Sequence, residues 1–335
     1  MAKRVRRPAW AKTFQRSFAQ LTRQTLSTGA RAAELTLKLG AEKRKAPAGK
    51  GDWIAGLAVG ATGMRRYRLY RPPDVRFGER LPLMVMLHGC GQDAKSFAES
   101  TRMNRIAARE RFMVLYPEQD RLANAQGCWN WFDTRSGRAY AEAELIMRAV
   151  DQVCLLYLAD RTRIAVAGLS AGASMAALLV TRHPARFKAV MMHSGIPPGT
   201  AHSPLSAVGA MHGHRPARPL SATPVAMAAV WPPLLVVHGV SDRVVSSSNG
   251  QAAARVWAGA AGARVLDGRS VQRGKRYPMT VTDYKLSRGT VATLIEVAQL
   301  GHAWSGGAAG QPYSDAQGPD ASRLLWAFAA RQFRQ

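Results

Sequence analysis

Short apolar runs alternate with longer amphipathic stretches from about residue 53 to the C-terminus. Residues 53–59 and 64–70 predict two antiparallel strands, the second alternating. Leu-Pro-Leu-Met-Val-Met-Leu at 81–87 predicts the first fully buried strand, and 112–116 predicts the next. Further buried strands are expected at 163–167, 187–193 and 233–238, with a hairpin-like pair at about 277–286 and 290–297. Helical patterns cover about 94–110, 139–159, 173–180, 248–259 and 320–333. Strands interleaved with helices predict an α/β fold, with a mostly parallel central sheet covered by helices on both faces. Residues 195–231, rich in Pro, Gly, Ala, Met and His, interrupt this rhythm. An insertion of that length between core elements is either a lid or a poorly ordered loop.

The N-terminal part follows a different pattern. Trp10, Phe14, Phe18, Leu21, Leu35 and Leu39 fall on one helical stripe, with Lys12, Arg16 and Arg23 opposite. Residues 1–50 hold thirteen Lys or Arg and two acids, a large share of a formal net charge of +26. Two uses fit a basic amphipathic helical extension: an anionic lipid or granule surface, or packing on the chain's own domain or on a second copy. Nucleic acid is the weaker partner, because no recognition motif accompanies the charge. Ala46–Gly51 is a linker, so residues 1–50 are expected as an extension and 51–335 as the catalytic domain.

Composition narrows the classes further. The 47% apolar content excludes wholesale disorder. No run of about 18 apolar residues predicts a membrane span, and no apolar segment of signal-peptide type follows the basic start. Three cysteines, Cys90, Cys128 and Cys154, are too few for a disulfide scaffold. These features predict a cytoplasmic chain.

Candidate chemistry centres on Gly168-Leu169-Ser170-Ala171-Gly172, which joins a predicted strand to a predicted helix. Strand, G-x-S-x-G, helix is the context of the nucleophile elbow of an α/β-hydrolase, in which a sharp turn lifts the serine hydroxyl clear of the sheet. That chemistry needs a base to take the hydroxyl proton and an acid to orient the base; in this fold class the chain order is Ser, Asp or Glu, His. Asp242 follows the strand at 233–238 and sits where sites form in open α/β sheets. His302 is the only histidine after Asp242. His88 and His238 end strands and are expected to support loops by hydrogen bonds. His202, His212 and His214 lack Cys or carboxylate at ligand spacing, so no metal is expected. For the oxyanion hole, the expected donors are the N–H of Ala171 and that of Cys90 in the His88–Gly91 loop. Cys90 as a nucleophile lacks an elbow.

Five motifs occur in order: Leu87-His88-Gly89-Cys90-Gly91-Gln92, Gly127-Cys128-Trp129-Asn130-Trp131-Phe132, the Ser170 elbow, His238-Gly239-x-x-Asp242 and Gly301-His302-Ala303-Trp304. Together they resemble the catalytic domain of the poly(3-hydroxybutyrate) depolymerase family of esterases, related to feruloyl and acetyl-xylan esterases. The resemblance runs from about residue 53 to about 310. It implies a serine esterase with Ser170 as nucleophile, Asp242 as acid and His302 as base, without metal or cofactor. It also implies a polyester or hydroxyalkanoate-oligomer substrate, with feruloyl or acetyl-xylan esters as the alternative.

Trp129, Trp131 and Trp304 are expected either as flat apolar surfaces at the mouth or as ordinary core. Cys90 and Cys128 fall on the expected rim. They would be bridged in an oxidising compartment and remain thiols in a reducing one. Many relatives are secreted, which keeps an extracellular location open beside a granule-associated cytoplasmic one. A different class remains: an inactive hydrolase fold binding lipid or nucleic acid.

Overall fold

The computed structural model describes residues 46–47, 49–217, 231–287 and 289–334. The expected basic helix within residues 1–45 and the 218–230 portion of the insertion lie outside the described residues.

The chain enters through a hairpin, β1 (Asp52–Gly60) and β2 (Gly63–Arg71), paired antiparallel in continuous register. Then come β3 (Leu81–Leu87), α1 (Ala94–Thr101), α2 (Met103–Glu110), β4 (Met113–Pro117) and α3 (Arg138–Leu156). The central crossovers are β5 (Ala159–Leu169), α4 (Ala171–Arg182), β6 (Ala189–His193), α5 (Pro204–Met211), β7 (Leu234–Gly239) and α6 (Ser248–Ala261). Short strands β8 (Arg264–Val265) and β9 (Arg269–Val271) precede β10 (Met279–Leu286) and β11 (Gly289–Val297). Two-residue strands β12 (Trp304–Ser305) and β13 (Ser314–Asp315) and helix α7 (Ala321–Gln332) close the chain.

The sheet order is β1-β2-β4-β3-β5-β6-β7-β11-β10-β8, with β9 also pairing β10. Its centre, β4-β3-β5-β6-β7-β11, is parallel, and antiparallel strands flank it on both sides. The period of two in a strand sorts side chains to opposite faces. Leu83, Val85 and Leu87 therefore join the apolar layer under α3, α4 and α6, while Met84 and Met86 join the layer under α1, α2 and α7. Burial on both faces explains why these strands read as continuous apolar runs.

Two features depart from the sequence expectation. The helix expected at 94–110 breaks at Arg102, whose φ of 55° ends α1 and starts α2. The Arg102 guanidinium there donates to the Gly306 carbonyl, 204 residues away. The insertion also carries a helix of its own, α5, with Ser203 as N-cap and Pro204 in its first turn. Ser-Pro at a helix start is a legible signal, because proline lacks only an N–H that would go unpaired there.

Candidate active site

Strand register brings distant segments to one edge of the sheet. Leu169 pairs with His193, His193 with Val237, and Val237 with Ile295. The carboxyl ends of β5, β6, β7 and β11 are thus level, and the chain leaves them towards Ser170, Ser194, Asp242 and His302.

Ser170 stands between β5 and α4 at φ 56° and ψ −121°, a conformation a side chain rarely adopts. Its N–H donates to the His193 carbonyl at 2.9 Å, which helps hold the turn. Gly168 and Gly172 take no positive φ here; their role is close approach. A Cβ on Gly168 would lie 2.3 Å from the Gly172 backbone, and one on Gly172 would lie 2.1 Å from the Leu87 carbonyl oxygen. The strained residue is therefore the serine itself, and the glycines let α4 press onto the end of β3.

Asp242 lies in the turn after β7, with a fully buried side chain. Its Oδ1 accepts N–H bonds from Val244 and Val245, both at 2.9 Å. Its Oδ2 lies 2.8 Å from His302 Nδ1. Burial pushes the Asp242 carboxyl up, but the His302 hydrogen bond and charge outweigh it and hold the carboxyl below its ordinary range. An ionised carboxylate only accepts, so Nδ1 carries the proton and Nε2 keeps its lone pair. His238 Nε2 donates to the Val245 carbonyl at 3.0 Å and lies 3.6 Å from Asp242 Oδ2, bracing the same turn. The acid and base loops are also joined directly. Ser241 N–H donates to the Leu300 carbonyl, and a Cβ on Gly239 would sit 2.2 Å from that oxygen. No hydrogen bond joins the Ser170 hydroxyl to the His302 ring, a contact that commonly tightens only when substrate fills such a site.

The expected oxyanion loop packs against the elbow through Gly172 and Gly89. Gly89 N–H donates to Gln92 Oε1, Gly91 N–H to the Gln126 carbonyl and Gln92 N–H to the Gly89 carbonyl. The Cys90 N–H has no partner among these loop bonds, and Gln92 Nε2 is a second donor here without one. Cys90 is bridged to Cys128, with Cα atoms 4.3 Å apart, tying this loop to the Gly127–Phe132 segment.

Beneath the bridge lies a buried polar network that sequence reasoning missed. Glu142 on α3 accepts from Asn130 N–H, Asn130 Nδ2 and Gln119 Nε2. Arg65 donates to Gln119 Oε1 and lies over the Trp129 ring at 5.1 Å. Burial draws the Arg65 guanidinium down, opposed by Glu142 and Asp120. His88 Nε2 accepts Gln119 N–H at 3.1 Å, and its Nδ1 lies 2.8 Å from the Gly89 carbonyl. Burial lowers the His88 ring from 6.5 to about 4, so it is neutral. Only the identity of Glu142 as an acid on an otherwise apolar helix face could have hinted at this network.

Of the two expectations for Trp129, Trp131 and Trp304, burial favours ordinary core over faces offered to substrate. Trp129 and Trp304 have no exposed surface, and Trp131 is buried as well. Trp129 Nε1 donates to the His88 carbonyl. Trp304 Nε1 donates to Ser322 Oγ, with its ring edge-on to Phe97. Trp131 packs edge-on against Phe132 within the core. An indole buries a large apolar area and finds one partner for its N–H, so these three hold the rim loops in place from beneath.

Comparison with known proteins agrees with this architecture. The chain is similar to an acetyl xylan esterase structure from Aspergillus awamori, with TM-score 0.56 and 19% identity over 76% of this chain and 94% of that one. It is similar to a ferulic acid esterase structure with TM-score 0.55 and 16% identity, over 85% of this chain and 98% of that one. At such identities the likeness shows the fold, an α/β-hydrolase.

Among curated sequences it is 31% identical over 175 residues to poly(3-hydroxyalkanoate) depolymerase C of Paucimonas lemoignei, covering 50% of this chain and 42% of that protein. It is 26% identical over 212 residues to feruloyl esterase B of Neurospora crassa, covering 58% of this chain and 70% of that protein. The match to the depolymerase thus spans less than half of that protein's length. The family model described as Esterase PHB depolymerase matches residues 65–266, more than half of the chain. With its sheet, elbow and loops in this arrangement, the chain belongs to the PHB depolymerase family of esterases.

Proposed function

We propose that the chain hydrolyses carboxylic esters through an acyl-enzyme on Ser170. The Ser170 oxygen attacks the ester carbonyl carbon as its proton passes to His302 Nε2. Asp242 holds the ring in that tautomer and stabilises the imidazolium. The N–H groups of Ala171 and Cys90 bind the developing oxyanion, a contribution of roughly 3–4 kcal/mol per donor. Collapse expels the alcohol, which takes the proton from His302; water then repeats the sequence and releases the acid. The observation carrying this reading is the 2.8 Å Asp242–His302 hydrogen bond at the sheet edge where Ser170 sits in its strained turn. Ser170→Ala is expected to abolish hydrolysis of p-nitrophenyl butyrate with the fold intact; full activity in that variant would reject it. Labelling of Ser170 by a fluorophosphonate separates the enzyme from an inactive hydrolase fold that binds lipid or nucleic acid.

The substrate we propose is poly(3-hydroxybutyrate) or a related hydroxyalkanoate oligomer, supported by the family description and the Paucimonas lemoignei relative. A second reading, feruloyl or acetyl-xylan esters, is supported by the likeness to feruloyl esterase B. A panel of 3-hydroxybutyrate oligomers, methyl ferulate and acetylated xylan separates them.

Among the described residues no helix is long and apolar enough to cross a membrane. The Cys90–Cys128 bridge supports an oxidising compartment over the cytoplasm. Docking of the basic residues 1–50 on granules or anionic lipid is supported by charge alone. Loss of granule sedimentation on deleting them, with soluble-ester activity kept, would test it.

A further inference from the structure

Resting on the serine-esterase reading, we propose that His193 is a positioning residue that sets the spacing between the nucleophile elbow and the loop carrying His302. It ends β6, between the strands that lead to Ser170 and to Asp242. Its backbone carbonyl accepts the Ser170 N–H at 2.9 Å. Its ring Nε2 accepts the Ser305 N–H at 3.0 Å, three residues beyond His302. One residue therefore holds both partners of the proton transfer, the first through its main chain and the second through its side chain.

The chemistry of the ring is determined by its neighbours. A backbone amide only donates, so Nε2 is unprotonated and the proton sits on Nδ1, 3.2 Å from Ser194 Oγ. The ring stacks on Trp304 at 5.1 Å and 26°, which limits its rotation. Burial lowers its pKa to about 3, with His238 and His302 acting in the same direction and Asp242 opposing. The acceptor at Nε2 therefore persists through the neutral and weakly acidic range. Ser305 has no exposed surface, so without Nε2 its N–H would be a buried donor lacking a partner, and the His302 loop would shift to find one. A phenyl ring would fill this volume and stack on Trp304 equally well. What histidine adds is the Nε2 acceptor for Ser305 and the Nδ1 contact to Ser194.

The test uses His193→Phe and His193→Gln in the full chain, each assayed well below its own thermal midpoint. The side-chain oxygen of glutamine can stand where Nε2 stands. For H193F, kcat on p-nitrophenyl butyrate is expected to fall about 10–100-fold with KM nearly unchanged, the scale of a misplacement of about 1 Å. Fluorophosphonate labelling should slow in parallel, and H193Q should recover most of both rates. Near-wild-type kcat in H193F would overturn the proposal, as would H193Q being as impaired as a folded H193F. If H193F is insoluble, recovery in H193Q decides alone, and failure of both to fold assigns His193 a purely structural role. A wild-type chain that fluorophosphonate does not label would instead overturn the esterase reading itself.

Discussion

Asp242 and His302 lie 60 residues apart in the chain and meet at 2.8 Å, with the carboxylate wholly withdrawn from solvent. Two backbone N–H groups on Oδ1 leave Oδ2 to orient the imidazole. Asp242→Asn would keep the shape but allow the amide to present a donor to Nδ1, which selects the wrong tautomer. We expect kcat to fall on the order of 10³–10⁴-fold with little change in KM. A loss below tenfold in steady-state kinetics would count against Asp242 as the orienting acid.

The elbow tolerates no side chain at position 172. Gly172→Ala places its Cβ 2.1 Å from the Leu87 carbonyl oxygen and 2.5 Å from that of His88, both rigid backbone. α4 must then move away from the end of β3, separating Ala171 from the Cys90 loop. Destabilisation above about 3 kcal/mol is expected, in the range of severe single substitutions. A thermal midpoint matching the wild type would contradict this close approach.

The disulfide bears on both stability and rate. Its cysteines are 38 residues apart, for which the chain-entropy treatment gives about 4 kcal/mol. Replacing both cysteines by alanine should lower the midpoint by about 8–15 °C. It should also reduce kcat by about tenfold or more, since the Cys90 N–H loses its tether. Equal activity with and without reductant would show that the bridge does not position that donor.

Glu142 offers a test of the buried network. In Glu142→Gln one carboxylate oxygen becomes an amide donor facing the donors of Asn130 or Gln119, and Arg65 loses nearby negative charge. The cost is expected to be about 3 kcal/mol, as for other broken buried networks. Denaturant unfolding with an unchanged midpoint would argue against the network's importance.

Acid should weaken the fold early. His88 and His193 are buried and depressed from 6.5 to about 4 and about 3, and His238 is depressed by burial as well. Below pH 6.5 the unfolded chain takes up protons at these sites while the folded chain does not. Stability is therefore full above about pH 6.5 and declines as the pH falls towards the folded values. A midpoint drop on the order of 5 °C or more between pH 7 and pH 5 is expected. A flat profile by calorimetry across that interval would contradict it.

Much of this protein was already decided along the chain. Runs apolar on both faces, such as 81–87, have no stable place except inside a covered parallel sheet, so the α/β fold followed from composition and period. The candidates Ser170, Asp242 and His302 were legible because each follows a strand end in the order that the α/β-hydrolase fold uses. Tertiary structure alone decided what depends on neighbours far away in sequence. It made Trp129 and Trp304 buried supports, because an aromatic residue carries no mark of which side of a loop it will face. Glu142 gained its partners and His193 its double hold only when β6, α3 and the loops closed together. Whether a polar group is buried and paired depends on contacts between distant segments, and no local pattern encodes them.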